Sequence, residues 1–249
     1  MRITTNETAQ RSLTKQYWKE ARDVLYKTAY PVIELSDKIS PAELKNRVHS
    51  LLKPELMDEF ILKLWSKVGG KFASDIVRKL MSLKELEDYH LQSWEQGFKA
   101  YMAERSRKIT KQILSTEAEN INLLIDKIVS DAMYSGEGIS TISGKMQEMF
   151  IKDMVVIQNY EAERIARTEV IGASNKGSYD GALSTGLPIQ KGWSTSGLSG
   201  IRQTHLLYES FGWVSMDKEF APGLRHPGDP SGSADEIINC RCRLIYNVD

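Results

Sequence analysis

Gly186-Leu187-Pro188-Ile189-Gln190-Lys191-Gly192-Trp193-Ser194 is the stretch at which the chain changes character. Glycine followed closely by proline stops a preceding helix, because proline brings no N–H and glycine favours a turn. The segment Gln190-Lys191-Gly192-Trp193-Ser194 then alternates in polarity, as a half-buried strand does. Downstream, glycine and proline are frequent, and Cys242-Arg243-Leu244-Ile245-Tyr246 reads as a second strand. Upstream, almost everything reads as helix. The fold class expected is therefore α+β: a mainly helical N-terminal region, then a small C-terminal α+β module. A module of roughly 65 residues rarely stands alone without a staple or a partner surface.

Working backwards, Leu13, Tyr17, Ala21 and Leu25 fall at four-residue intervals and give a first helix one apolar face. Pro31 is expected to close it. Ser40-Pro41-Ala42-Glu43 carries a start signal: Ser40 as N-cap, proline at the first helical position and Glu43 completing a capping box. Leu44, Val48 and Leu51 continue at helical spacing. Pro54 opens another helix with Leu56, Phe60, Ile61 and Leu64. Gly69-Gly70 predicts a break or hinge. A long helical stretch from about Asp75 to Leu114 follows, carrying Ile76, Leu80, Leu83 and Leu86 and then Trp94, Phe98 and Tyr101. Thr116-Glu117-Ala118-Glu119 reads as a second capping box leading into Ile121, Leu124, Ile125 and Ile128, and Ser135-Gly136-Glu137-Gly138 as a turn. A short helix over about Ser140 to Phe150 and a last one over about Asn159 to Leu183 complete the region.

Lys plus Arg number 33 and Asp plus Glu 33, so net charge is zero, which argues against a protein whose main task is coating nucleic acid. No uncharged apolar run reaches the length of a membrane span, so no membrane is expected among the partners. The N-terminus MRITTNETAQRSLTKQ lacks the apolar centre of a secretory signal, and cytoplasmic synthesis and use are expected. Cys240 and Cys242 are two apart, poor geometry for a relaxed disulfide, and read as thiols.

The C-terminal module carries nearly all the unusual residues: Trp193, Arg202, His205, His226, Pro227-Gly228-Asp229-Pro230 and Asn239-Cys240-Arg241-Cys242. Pro-Gly-Asp-Pro is a turn by composition, and on a helix Arg202 and His205 would share a face. Preceded by Arg164-Ile165-Ala166-Arg167-Thr168-Glu169 and a glycine-rich helix, these elements stand in an order and spacing that resemble the phage Mu F-like head-morphogenesis domain. The likeness covers about residues 160–246 and divides the chain into a helical region, 1–158, and a head-morphogenesis module, 159–249. One element departs from the family: the segment Ser196 to Ile201 before Arg202 has no carboxylate, so Asp229 becomes the expected partner of Arg202.

The resemblance implies a bacteriophage minor head protein. Such a protein would be assembled in the host bacterial cytoplasm and held in the virion interior. It would be associated with the portal, and with scaffold or major capsid protein, in procapsid assembly and in DNA packaging or ejection. The function implied is binding rather than turnover, with no cofactor. Trp193, Arg202, His205, Pro227, Gly228, Asp229, Pro230, Asn239, Cys240 and Cys242 would form a structural lock. Two other classes stay open. One is a metal- or thiol-dependent enzyme, hydrolase or toxin-like, using His205 with Cys240 and Cys242. The other is a DNA-binding interior protein, with Arg164 and Arg167 as a basic stripe against the plainer reading of a solvated, charge-paired helix face.

His205, His226, Cys240 and Cys242 also offer two imidazoles and two thiols, donors that suit tetrahedral zinc. Against this, structural zinc pairs usually come as Cys-x-x-Cys, whose knuckle turn lets both sulfurs face the metal. The preferred expectation is that one cysteine packs as a small apolar side chain while Arg202 and His205 hydrogen-bond to the turn around Asp229.

Overall fold

The structure, a computed structural model, describes residues 2–81, 92–136, 139–197 and 200–248. In chain order the elements are β1 (Arg2–Thr4), α1 (Glu7–Leu35), α2 (Pro41–Leu51), α3 (Pro54–Leu80), α4 (Gln92–Tyr134), α5 (Ile139–Ser184), β2 (Ile189–Ser194), α6 (Gln203–Ser210), β3 (Val214–Ser215), α7 (Ala234–Ile237) and β4 (Arg243–Val248). The mainly helical α+β class read from the sequence is what the chain adopts. None of the described helices is long and apolar enough to cross a membrane.

Several expected helix boundaries are absent. Pro31 does not end α1, which runs on to Leu35. A proline in a helix interior costs about 3 kcal/mol. Burial of Val32 and Ile33 just beyond it offsets that, at about 1.5–3 kcal/mol for each side chain. Gly69-Gly70 is no hinge but the interior of α3. Thr116 does not start a helix: within α4 its hydroxyl donates back to the Gln112 carbonyl at 3.2 Å. The two helices expected over 140–150 and 159–183 are one 46-residue helix, α5, because Met154, Ile157 and Gln158 carry the buried stripe across the join. The start signal at Ser40 holds, its hydroxyl accepting from the Glu43 amide at 3.3 Å with Pro41 leading α2. Leu83 and Leu86 lie outside the described residues, as do Glu137, Gly138 and the side chain of Trp94.

The chain divides into two compact units. One comprises Lys19–Ile61 and Glu104–Glu163, and is helical. Its core packs Ala29, Val32 and Ile33 of α1 and Leu44 and Val48 of α2 with Ile121, Ile125 and Ile128 of α4 and Met146 and Phe150 of α5.

The other unit gathers Met1–Trp18, Leu62–Ala103 and Arg164–Asp249, so the module drawn from the sequence at 159–249 is joined by two earlier stretches. Those stretches supply core that a module of its size lacks. The sheet has the order β1-β4-β2-β3, all pairs antiparallel, with Ile3 opposite Tyr246 and Trp193 opposite Leu244. Strand period puts Ile189, Lys191 and Trp193 on one face with Leu244 and Tyr246. That face packs on Ile171, Tyr179 and Ala182 of α5 and on Ile76 and Val77 of α3. Helices α3 and α5 meet at glycine: a Cβ at Gly177 would lie 2.1 Å from the Gly69 carbonyl oxygen. The glycine pair thus serves close approach.

Candidate functional site

Trp193 is the floor of the site. Its ring meets His205, Tyr208 and Phe220 edge-on at 5.0, 5.2 and 5.1 Å, the arrangement that aromatic quadrupoles favour. Its indole N–H is buried and finds no acceptor among the described residues. Arg202 is the N-cap residue of α6, and His205, one turn in, is buried on the helix face turned to Trp193. Glu209, at the far end of α6, takes the amide and hydroxyl of Thr195 at 2.9 and 2.8 Å and so ties the helix to the end of β2.

His205 is held on both nitrogens. Nε2 lies 2.9 Å from Glu236 Oε2. A carboxylate only accepts, so Nε2 carries a proton, and Nδ1 faces the cysteines. From Nδ1 the Cys242 sulfur is 3.3 Å away and the Cys240 sulfur 3.9 Å. Both cysteines are free and buried, and the three donor atoms lie within 4.8 Å of one another. The thiols are inequivalent. Cys242 donates to Cys240, which holds Cys240 below its ordinary value against the effect of burial. The same bond, with burial, pushes Cys242 well above its own, and His205 opposes that rise. The Cys242 amide also donates to the Cys240 sulfur, at 3.4 Å.

The Cys-x-Cys spacing therefore brings both sulfurs to one imidazole, though it is not the usual Cys-x-x-Cys of a zinc knuckle. Cys240 and Cys242 both precede β4, and the backbone between α7 and β4 is not strand. Asn239 has φ 60°, the left-handed region that asparagine tolerates better than most residues. It reverses the chain just before Cys240. Arg167 donates to Asn239 Oδ1 at 2.7 Å, and the Asn239 amide donates to Thr168 Oγ1 at 3.0 Å. Beside them, Glu169 is buried and accepts from Trp65 Nε1 at 2.8 Å. Arg167 and Glu169 thus belong neither to a solvated face nor to a basic stripe. Trp65 also packs against Phe98 and Tyr101, at 6.5 and 6.2 Å between ring centres.

Asn175, within α5, fastens the next residues. Its Nδ2 donates to the Ile171 and Cys242 carbonyls and its Oδ1 accepts from the Leu244 amide at 2.9 Å. It thereby makes the hydrogen bonds a neighbouring strand would make. The only sequence signal for it is a polar residue inside a small-residue helical run.

Arg202 and His205 do not reach the turn around Asp229, correcting that expectation. Arg202 donates instead to the Ile238 carbonyl at 2.5 Å. Asp229 serves its own turn: Oδ2 accepts from the Arg225 amide at 3.1 Å and Oδ1 from the Ser231 amide at 2.9 Å. His226 also lies apart from the thiols. Its Nδ1 donates to the Pro227 carbonyl at 3.2 Å, and Nε2 is 3.6 Å from Asp229. Burial holds His226 below its ordinary value, with the Asp229 carboxylate opposing. His226, Pro227, Gly228, Asp229 and Pro230 are all buried. Gly228 has φ 70° and its missing Cβ would stand 3.0 Å from the Gly172 backbone, so the turn seats directly on α5. Lys191, which the sequence reading passed over, is buried in β2, with its amine donating to the Arg225 carbonyl at 2.8 Å and lying 4.8 Å over the Tyr179 ring. Burial first, and Arg225 second, lower it to about 8.

Chemically the site is a buried imidazole whose Nδ1 faces two thiols, beside a self-contained turn. Its three donors, from His205, Cys240 and Cys242, are of types that could hold a metal ion, and His226 is outside the set. Fold and site together define a helical α+β protein with a buried Cys₂His centre. Comparison of the chain with protein-family models, curated proteins and solved structures finds no match.

Proposed function

We propose that this chain is a bacteriophage minor head protein, a portal-associated component of the capsid interior that acts in procapsid assembly and in DNA packaging or ejection. The observation that carries the reading is convergence. Trp193, Arg202, His205, Asn239, Cys240 and Cys242 are dispersed over 50 positions of sequence, yet they fold onto one another, while Pro227 to Pro230 seats on the same helix that holds Asn239. Residues of such a signature that spend most of their polar atoms inside the module are suited to a rigid platform. Their partners here are largely internal backbone: the Ile238 carbonyl for Arg202, the Arg225 and Ser231 amides for Asp229.

Binding rather than turnover also suits the helical unit. Leu123, Met133, Ile151, Val155 and Tyr160 expose large apolar side chains there, such as a protein partner would cover. The portal is the first such partner, with scaffold or major capsid protein next. Zinc fits the reading as a staple, since a bound metal would fasten α6 to the turn before β4 and add its binding free energy to folding.

The test reads the frames flanking this chain's gene, where a portal gene is expected, then co-expresses its product with this chain and captures either one by affinity. Retention through a high-salt wash is the outcome expected. A folded chain that the portal does not retain would overturn the proposal. So would a hydrolytic activity that disappears in a His205→Ala protein shown to be folded.

A further inference from the structure

We infer that His205 Nδ1, Cys240 Sγ and Cys242 Sγ ligate a thiophilic divalent cation of the zinc class, and that Glu236 is the residue positioning His205 to do so. The inference deepens the zinc staple above and is independent of the portal assignment.

Distance is the first argument. Tetrahedral zinc with Zn–S near 2.3 Å and Zn–N near 2.0 Å sets its ligands about 3.5 Å apart for nitrogen to sulfur, and about 3.8 Å for sulfur to sulfur. The observed nitrogen–sulfur separations are 3.3 and 3.9 Å, and no donor pair exceeds 4.8 Å. A cation enters by side-chain shifts of a few tenths of an ångström to about 1 Å, with no backbone rearrangement.

Orientation is the second. A ligating imidazole needs its other nitrogen protonated and held, and carboxylates do this in the carboxylate–histidine–zinc arrangement. Glu236 Oε2 at 2.9 Å from Nε2 supplies that contact, and Thr204 Oγ1 steadies the same oxygen at 3.3 Å. Nothing about the aromatic packing of His205 requires a carboxylate. The Cys242 amide directed at the Cys240 sulfur adds a hydrogen bond that a thiolate accepts more strongly than a thiol.

Charge is the third. Binding M²⁺ displaces one proton from each thiol, so two thiolates, one neutral imidazole and the cation sum to zero. A neutral cluster suits a place where all three ligands are buried. Two sulfurs and one nitrogen select zinc and its soft neighbours over magnesium or calcium, which take oxygen. The described residues place no fourth His, Cys, Asp or Glu in the group, which leaves one coordination position for water or an exogenous ligand.

The full chain, purified under reductant without chelator, is measured for metal, then stripped and reloaded with cobalt(II). About one zinc per chain is expected, as is a cobalt complex with thiolate-to-metal absorption and the visible bands of a tetrahedral site. In Cys242→Ser the thiolate band should fall by about half, one of two sulfurs being lost. Glu236→Ala should keep the cobalt spectrum but bind zinc roughly 10–100-fold more weakly in competition with a chromophoric chelator. A wild-type protein that takes up no zinc or cobalt overturns the inference, as does a cobalt spectrum without thiolate absorption. Wild-type zinc affinity in Glu236→Ala overturns the positioning role while leaving the staple intact. A chain that binds zinc but is not retained by the portal would support this inference while overturning the portal proposal, so the two fail separately.

Discussion

Replacing Glu117 by glutamine should stabilise the helical unit, and should do so only above mildly acidic pH. Glu117 lies on α4, buried at 3% exposure, and accepts from Gln158 Nε2 of α5 at 3.2 Å. Burial raises its carboxyl from 4.5 to about 7; the Gln158 bond opposes this and the Glu161 charge adds to it. A carboxyl raised in the folded state favours folding while protonated, so its contribution is fully present below pH 4.5 and is lost as pH rises through 7. At pH 8 the ionised side chain therefore costs about 3 kcal/mol relative to an ordinary glutamate, and at pH 5 about 1 kcal/mol. Glutamine keeps an oxygen for Gln158 and cannot ionise. Tryptophan emission is the wrong probe, because Trp65 and Trp193 belong to the other unit. Hydrogen exchange of the α4 amides around Ile121 to Ile128, in wild type and Glu117→Gln at pH 5 and pH 8, reads the difference directly. A gain of the same size at both pH values would refute the reasoning.

Substitutions at three further positions probe the sheet-bearing unit. Gly177→Ala places a Cβ 2.1 Å from the Gly69 carbonyl oxygen, so α3 and α5 must separate; a loss of about 1–3 kcal/mol or more is expected in denaturant melts, and an unchanged midpoint would contradict the close-approach account. Asp229→Ala strands the Arg225 and Ser231 amides in a buried turn and should cost about 2 kcal/mol or more, with the 226–230 segment losing exchange protection first. Asn239→Gly and Asn239→Ala both lose the Arg167 bond, but only alanine also meets the left-handed penalty at φ 60°; alanine should be the worse by about 1 kcal/mol in thermal melts, and equal losses would mean that the backbone there is unstrained.

The helices were legible because their apolar spacing is a local property: Tyr17, Ala21 and Leu25 are buried, and Leu44 and Val48 pack as their period predicts. What failed were the punctuation rules. Pro31, Gly69-Gly70 and Thr116 each carry a local signal to stop or start, and each is outvoted by burial on both sides of it. Strand β1 was read as part of the helical region, since three residues leave too short a pattern and its register is set by Asn247, Tyr246 and Ile245, some 240 positions away. Trp193, Arg202, His205 and the Cys-x-Cys pair announced themselves by composition. Glu236 and Asn175 did not, because a charged or amide side chain on a helix reads as solvated until its partner is known, and Arg167 and Thr168 stood out without any sign that they hold Asn239.

The Cys-x-Cys pair shows how neighbouring elements can decide a chemical conclusion. Alternation across a strand puts residues i and i+2 on one face, so this spacing allows two sulfurs to share a ligand, but spacing alone does not say what they face. Here β4 begins only at Arg243, so neither sulfur is bound by strand geometry. The conformation before it is fixed from outside: Arg167 and Thr168 grip Asn239, and Asn175 grips Cys242 and Leu244. Helix α5 therefore determines where both sulfurs point, and α6 and α7 bring His205 and Glu236 to meet them. Chemistry at this centre depends on four elements holding one turn. A substitution on α5 that touches no sulfur, such as Asn175→Ala, would release that turn and disperse the donors.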